Sequence, residues 1–259
     1  MPSHLGRRRF LSRTVSGIAV LSLGGCDELS TKPWFANLLD SAEKVTQYVQ
    51  RAITGQGALA PEYNESDLSP DFRSNGTQNP SDATYQALAR NSFADWRLEI
   101  GGLVERPTRF SLAELRAFPS RTQITRHDCV EGWSCIGKWK GVPLSNVLNS
   151  VRPLPSARYV MFYCADPMEQ TFGGADSRYY ESIDFAGAYH PQTILAYEMN
   201  DQVLPIPYGA PIRLRDERQL GYKMAKYIMR IEVVESFATI RGGHGGYWED
   251  QGYEWYAGI

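Results

Sequence analysis

The sequence predicts an α+β fold of mixed β-sheets with short helices, and three observations lead to it. From Trp96 onward, aromatic and β-branched runs with strand periodicity recur, closed by turn-forming residues. Helical apolar spacing between them is short and irregularly placed, which excludes the regular alternation of a doubly wound sheet. Aromatics make up 12% of the chain, with 15 tyrosines, a composition suited to strands and loops rather than a helical bundle. No Gly-rich phosphate loop opening a helix is present, so a dinucleotide or P-loop site is not supported.

The first element is a processing signal over residues 1–26. Arg7-Arg8-Arg9-Phe10-Leu11 is followed by an apolar stretch from Val15 to Leu23 and then Leu23-Gly24-Gly25-Cys26. That stretch is shorter than the roughly 20 residues needed to span a bilayer. The pattern resembles a twin-arginine export signal ending in a lipoprotein cleavage box, with an ordinary secretory signal as the alternative. Twin-arginine export carries folded proteins, which implies a cofactor inserted before transport to the periplasm and a lipid anchor at Cys26.

Residues 27–80 read as an N-terminal helix and a linker arm. Leu38, Leu39, Val45, Val49 and Ile53 have helical spacing within Phe35–Ile53, and Gly55–Asn79 is rich in Gly, Pro, Asn, Ser and Asp. The remainder, 81–259, forms one domain. Trp96–Ile100 alternates and stops at Gly101-Gly102. Ser111 with Glu114 three residues on makes a capping box for a helix over Leu112–Phe118. Val142–Val151 is a second short helix, with Leu144, Val147, Leu148 and Val151 on one face. Arg158–Tyr163, Ile194–Met199, Ile212–Leu214 and Tyr227–Val234 complete the predicted strands.

The formal net charge is -2, and -6 once the four arginines of the first 25 residues are set aside. Such a chain is a poor nucleic-acid binder, because that binding depends on neutralising phosphates. With Cys26 lipidated, Cys129, Cys135 and Cys164 remain, an odd number in an oxidising compartment. A Cys129–Cys135 disulfide stays open. Neither CxxC nor CxxCH occurs, and His127, His190 and His244 lack the short spacing of a zinc or non-haem iron site.

The chemistry is concentrated in Thr125-Arg126-His127-Asp128-Cys129-Val130-Glu131-Gly132-Trp133-Ser134. Ionisable neighbours are expected to lower the Cys129 pKa and favour the thiolate that a soft metal takes. The run Cys129–Ser134, followed by Trp139, Gly141, Val142, Leu144 and Leu148, resembles the metal-binding segment of the sulfite oxidase superfamily. The likeness is greatest to the bacterial single-subunit branch that holds the periplasmic methionine-sulfoxide reductase catalytic subunit. Three more blocks, Leu195–Asp201, Tyr208–Leu214 and Gly221–Lys226, carry it along the chain from about Asn91 onward.

The resemblance implies a sulfite-oxidase-type molybdopterin-binding fold over 81–259, with molybdenum and one molybdopterin as cofactor. It makes Cys129 the metal ligand; by their position two and three residues before it, His127 and Arg126 are candidates beside the chemistry, with a structural histidine bonded to backbone as the alternative for His127. Asn91, Cys164, Tyr208, Arg213, Met224, Ala225 and Lys226 become the cofactor-binding positions, Arg213 and Lys226 facing the pterin phosphate. Tyr208 and Cys164 depart from the Asn and Thr of that branch, so its substrate is not carried across. The implied activity is two-electron oxygen-atom transfer on a small molecule, as S- or N-oxide reduction or sulfite-type oxidation. Electrons come from a separate carrier, such as a membrane haem protein or cytochrome, since no haem or flavin motif is present. The alternative is a non-catalytic exported lipoprotein that keeps the scaffold to bind pterin or a partner. The family's dimeric oxidases carry a further C-terminal domain for which the chain to Ile259 leaves no room, so a monomer is expected.

Overall fold

The computed structural model describes residues 32–55, 57–168 and 178–259, and its contacts divide the chain into Met1–Ile53 and Thr54–Ile259. The signal read in residues 1–26 lies outside the described residues. In the first unit the helical spacing is realised as α1, Pro33–Thr54, with Arg51 in its last turn complementing the helix dipole. No helix among the described residues is long and apolar enough to cross a membrane.

The second unit is built on two five-stranded sheets. The first contains β1 (Arg97–Gly102), β2 (Thr108–Ser111), β5 (Tyr159–Pro167), β6 (Arg178–Asp184) and β10 (Ile228–Val234), in the order β2-β1-β10-β5-β6. β1 and β10 are parallel, and the other pairs in that sheet are antiparallel. The second sheet contains β3 (Arg121–Asp128), β4 (Ser134–Pro143), β7 (Ile194–Met199) and β8 (Gln202–Val203) in that order, with β9 (Arg213–Arg215) pairing β7. Mixed sheets joined by short helices are the architecture that the sequence predicts.

Short helices fill the spaces around the sheets: α2 (Ala83–Arg90), α3 (Leu112–Ala117), α4 (Leu144–Val151) and α5 (Phe185–Ala188). α3 starts at the expected capping box, in which Ser111 Oγ accepts from the Glu114 N–H and the Glu114 carboxylate accepts from the Ser111 N–H. α4 begins two residues later than its apolar spacing suggests. Val142 and Pro143 are still paired with Leu195 and Ile194 and finish β4. Leu144, Val147, Leu148 and Val151 then bury one helix face completely in the main core, beside Trp96, Leu98, Val160, Phe162, Ile231 and Val233.

The stretch from residue 57 to 80 is packed into the second unit. Phe72 is buried against His127, Trp139 and Tyr208. Backbone bonds tie Tyr63 N–H to the Ile124 carbonyl and Ser69 N–H to that of Ile136. A composition that reads as linker therefore pairs with the β3 edge of the second sheet through Glu62 and Thr125 and packs Phe72 against it. The sheet itself depends on Gly141, where β4 bulges against β7: a Cβ there would lie 2.2 Å from the Leu195 carbonyl oxygen.

Asp216, just past β9, is buried, and burial with the charges of Glu217 and Asp184 raises its carboxyl to about 7. The folded chain then holds a proton that the unfolded chain releases near pH 4, so this group makes stability fall as pH rises from about 4 to 7. Asp216→Asn removes that slope. Relative to the parent, the variant should gain up to about 4 kcal/mol between pH 4.5 and pH 8 in urea unfolding. A difference that stays constant across that range would contradict the assignment.

Candidate active site

The connection between β3 and β4 fixes Cys129. Its N–H donates to the Trp133 carbonyl at 2.9 Å, and its own carbonyl accepts from Gly132, whose φ of 85° suits glycine. Asp128 is clamped beside it by Ser134 Oγ at 2.5 Å and Arg126 Nε at 2.9 Å. The Cys129 side chain, 8% exposed, lines a cavity of about 170 Å³. Asn75, Gly76 and Thr77 form one wall, Met224 and Lys226 another, and Tyr179, Tyr222, Trp248 and Tyr253 the aromatic remainder. Cys129, Cys135 and Cys164 are all free thiols, which disposes of the Cys129–Cys135 disulfide.

One expectation is corrected. The Cys129 thiol is pushed up from its ordinary value, not down, because burial outweighs the nearby donors and the Glu131 charge adds to it. The neighbouring cation that was to lower it, Arg126, is turned to Asp128 and lines a different cavity, with Tyr63, Asp128 and Glu217. The Arg73 charge pulls the other way without offsetting burial, so the thiolate that a soft metal takes depends on the metal's own charge.

The other expected residues separate into groups. Met224 and Lys226 line the cavity with Cys129, and Ala225 is fully buried between them, its carbonyl accepting from Leu214. Arg213 lies behind this wall, 1% exposed, donating to the Tyr208 carbonyl at 3.1 Å and the Met224 carbonyl at 3.3 Å with its guanidinium over Trp139. His127 is also buried and outside the lining. Its Nδ1 is 3.0 Å from Arg215 Nη1 and 3.3 Å from Met224 Sδ, while Gly221 covers its other edge so closely that a Cβ would be 2.5 Å from Nε2. Burial first, then Arg215 and Arg213, hold the imidazole well below its usual range, so it is neutral and accepts from Arg215. Cys164 is buried on β5, and Tyr208 donates its hydroxyl to the Phe72 carbonyl. Asn91 sits exposed after α2, bonded to Asp95.

The electrostatics of the wall suit a bound anion. Arg215 is matched by Glu217 in a fully buried bidentate pair. Arg213 and Lys226 have no carboxylate within ion-pair distance among the described residues. Lys226 Nζ donates instead to the carbonyls of Asn75, Thr77 and Pro207, and burial with the Arg213 charge brings it down to about 7. Arg213 is brought down to about 9 by burial and Arg215, and its Nε has no partner. Asp166 and Glu217 act on these cations only from beyond ion-pair distance, and buried cations with no contacting carboxylate cost several kcal/mol, an arrangement that suits a bound phosphate. Asp166 Oδ1 on the cavity wall is likewise unpartnered, and burial raises that carboxyl to about 6. The Cys129 thiol, the Lys226 ammonium and the backbone of Asn75–Thr77 on one cavity, with Arg213 buried behind it, fit a metal-bearing, phosphorylated organic group.

Sequence reasoning missed several of these residues. Asp166 and Tyr179 line the cavity and Phe72 supports it, yet none stands in a spacing that marks chemistry, whereas Trp139 and Tyr222 lie within the blocks that carry the resemblance. Lys223, beside the predicted Met224–Lys226 block, carries a buried ion pair to Glu181 and Glu249.

Residues 85–239 match the family model described as oxidoreductase molybdopterin binding domain. A protein of Azospira oryzae, provisionally named protein-methionine-sulfoxide reductase subunit YedZ1, is 40% identical over 256 residues, covering 97% of this chain and 87% of the relative. The protein-methionine-sulfoxide reductase catalytic subunit MsrP of Ralstonia nicotianae is 30% identical over 244 residues, covering 90% and 71%. Among solved structures, the sulfane dehydrogenase SoxCD from Paracoccus pantotrophus superposes with a TM-score of 0.50 at 23% identity, over 57% of this chain and 40% of that one. That last likeness is one of fold.

Proposed function

The chain belongs to the oxidoreductase molybdopterin binding domain family, of the sulfite oxidase and sulfoxide reductase type, and on that premise we propose that it is an exported sulfoxide reductase. The observation that carries the substrate class is the charge of the cavity. Among its described lining residues Lys226 is the one cation, already bonded to three carbonyls, while Glu131 and Asp166 are acids. A neutral sulfoxide is accepted there. A sulfite dianion, which asks for several free cations, is not.

Cys129 would hold molybdenum, and Arg213 with Lys226 would hold the pterin phosphate against the Met224–Lys226 wall. The chemistry supplied by that group when bound is a two-electron couple able to take oxygen from sulfur. Asn91, Cys164 and Tyr208 enter the proposal as cofactor contacts on the family resemblance alone, since none lines the cavity. His127 acts through its neighbours: as a neutral acceptor it aligns Arg215, and it packs against the Met224 sulfur behind the wall. Arg126 has no proposed part in the reaction. The aromatic side, Tyr179, Tyr222, Trp248 and Tyr253, limits water around the reacting oxygen.

The proposal includes a separate electron carrier, a periplasmic location reached by the signal in residues 1–26, and a lipid at Cys26. Protein from a molybdenum-replete host should contain about one molybdenum per chain and oxidise a reduced viologen dye when methionine sulfoxide is added. Sulfite should not reduce an oxidised dye. The reverse pattern would overturn the substrate assignment, and export unaltered by joint replacement of Arg7 and Arg8 with lysine would overturn the localisation.

A further inference from the structure

Behind the aromatic side of the cavity lies a cluster that the reaction described above does not use. Lys223 Nζ is 2.5 Å from Glu181 Oε1 and 2.5 Å from Glu249 Oε1, with side-chain exposures of 2%, 0% and 0%. Two carboxylates around one ammonium leave a net negative charge when all are ionised, at full burial. Glu249 Oε2 has no hydrogen-bond partner. The two carboxylates converge over Gly246, where a Cβ would stand 2.0 Å from Glu249 Oε2 and 2.9 Å from Glu181 Oε1. From this cluster one hydroxyl leads to the cavity: Tyr179 Oη is 3.3 Å from Glu181 Oε2, and Tyr179 lines the cavity with Cys129. Its single hydroxyl proton is shared between that carboxylate and the Tyr222 carbonyl.

We infer that Glu181, Lys223 and Glu249 form a proton store for the cavity, and that Tyr179 delivers from it to the oxygen leaving a bound sulfoxide. The inference rests on the sulfoxide reduction proposed above. That reaction breaks one S–O bond and consumes two electrons and two protons, giving a sulfide and water. The electrons come from the external carrier, a reduced haem protein or viologen dye. One proton passes from Tyr179 to the oxygen while Glu181 Oε2 re-protonates Tyr179, the second enters from solvent, and a solvent proton then restores Glu181. A single buried negative charge beside an ammonium is relieved most cheaply by one retained proton. Burial, with the Glu249 charge, pushes the Glu181 carboxyl well above the usual range, against the opposing pull of Lys223. Tyr179, on the cavity lining, is the donor in this scheme, and Lys223 and Glu249 position Glu181 behind it.

Two measurements test this. Infrared difference spectra between the parent and Glu181→Gln, taken on purified protein at pH 8, should show a protonated carboxyl stretch that shifts in D₂O and is missing from the variant. In steady state, Tyr179→Phe should keep molybdenum content and KM for methionine sulfoxide while losing at least about tenfold in kcat and changing the solvent isotope effect. No difference band, or parental kcat and isotope effect in Tyr179→Phe, would overturn the inference even if Glu181→Gln fails to fold. A parent that holds molybdenum but reduces no sulfoxide overturns the functional reading and delivery with it, and the infrared band still decides whether the store exists.

Discussion

Cys129→Ser is expected to fold, to keep part of its pterin, and to lose oxygen-transfer activity by more than about 100-fold. Folding survives because the residue is held by backbone bonds to Trp133 and Gly132, and its side chain faces the cavity, not the core. Activity is lost because serine presents a harder and far less acidic oxygen to a soft metal. The structure also sets the controls. Cys135 packs beside Phe72 and Trp139, its sulfur 3.8 Å from the Asp71 carbonyl, and Cys164 is buried on β5, so neither serine variant should release the metal. Full activity in Cys129→Ser, or loss confined to Cys135→Ser, would remove the ligand assignment.

Arg213→Ala should lower pterin occupancy by at least about tenfold while changing the unfolding free energy of the cofactor-free chain by no more than about 2 kcal/mol. Two opposing terms decide the second number. The variant loses the bonds to the Tyr208 and Met224 carbonyls, each worth roughly 1.5–3 kcal/mol for a charged donor. It also sheds a buried cation with no carboxylate partner among the described residues, a penalty of several kcal/mol in the empty chain. With the phosphate present that penalty disappears, so the cost of the change falls on the holo state. Oxidised pterin fluorescence per chain and urea unfolding of cofactor-free protein measure the two quantities. Parental pterin content would return Arg213 to a purely structural role.

Where hydrophobic period or cap chemistry carries the fold, it was legible. β7 spans Ile194–Met199 as its apolar run indicates, and Ser111 with Glu114 places the start of α3. β3 was hidden because its period is inverted: the inward positions are Gln123, Thr125 and His127, polar residues. Gln123 bonds Glu217 and the Gln192 carbonyl, and His127 bonds Arg215, partners 69 to 94 residues away that no local window reveals. β6 escaped for the same reason, since Glu181 and Ser182 are buried in it by Lys223 and the Gly245 carbonyl. The site shows the same division. Motif likeness pointed to Cys129, Met224 and Lys226, which share the cavity, and also to Arg126 and Asn91, which do not. The direction of the Arg126 side chain is set by Asp128, and the closing wall at Asn75–Thr77 comes from a stretch whose composition resembles a linker.

The central claim, that Cys129 sulfur binds molybdenum, is tested most directly by X-ray absorption at the molybdenum edge on the parent, Cys129→Ser, Cys135→Ser and Cys164→Ser. The account predicts one sulfur neighbour fewer in Cys129→Ser and no change in the other two. A sulfur count unchanged in Cys129→Ser and reduced in either of the others would contradict it.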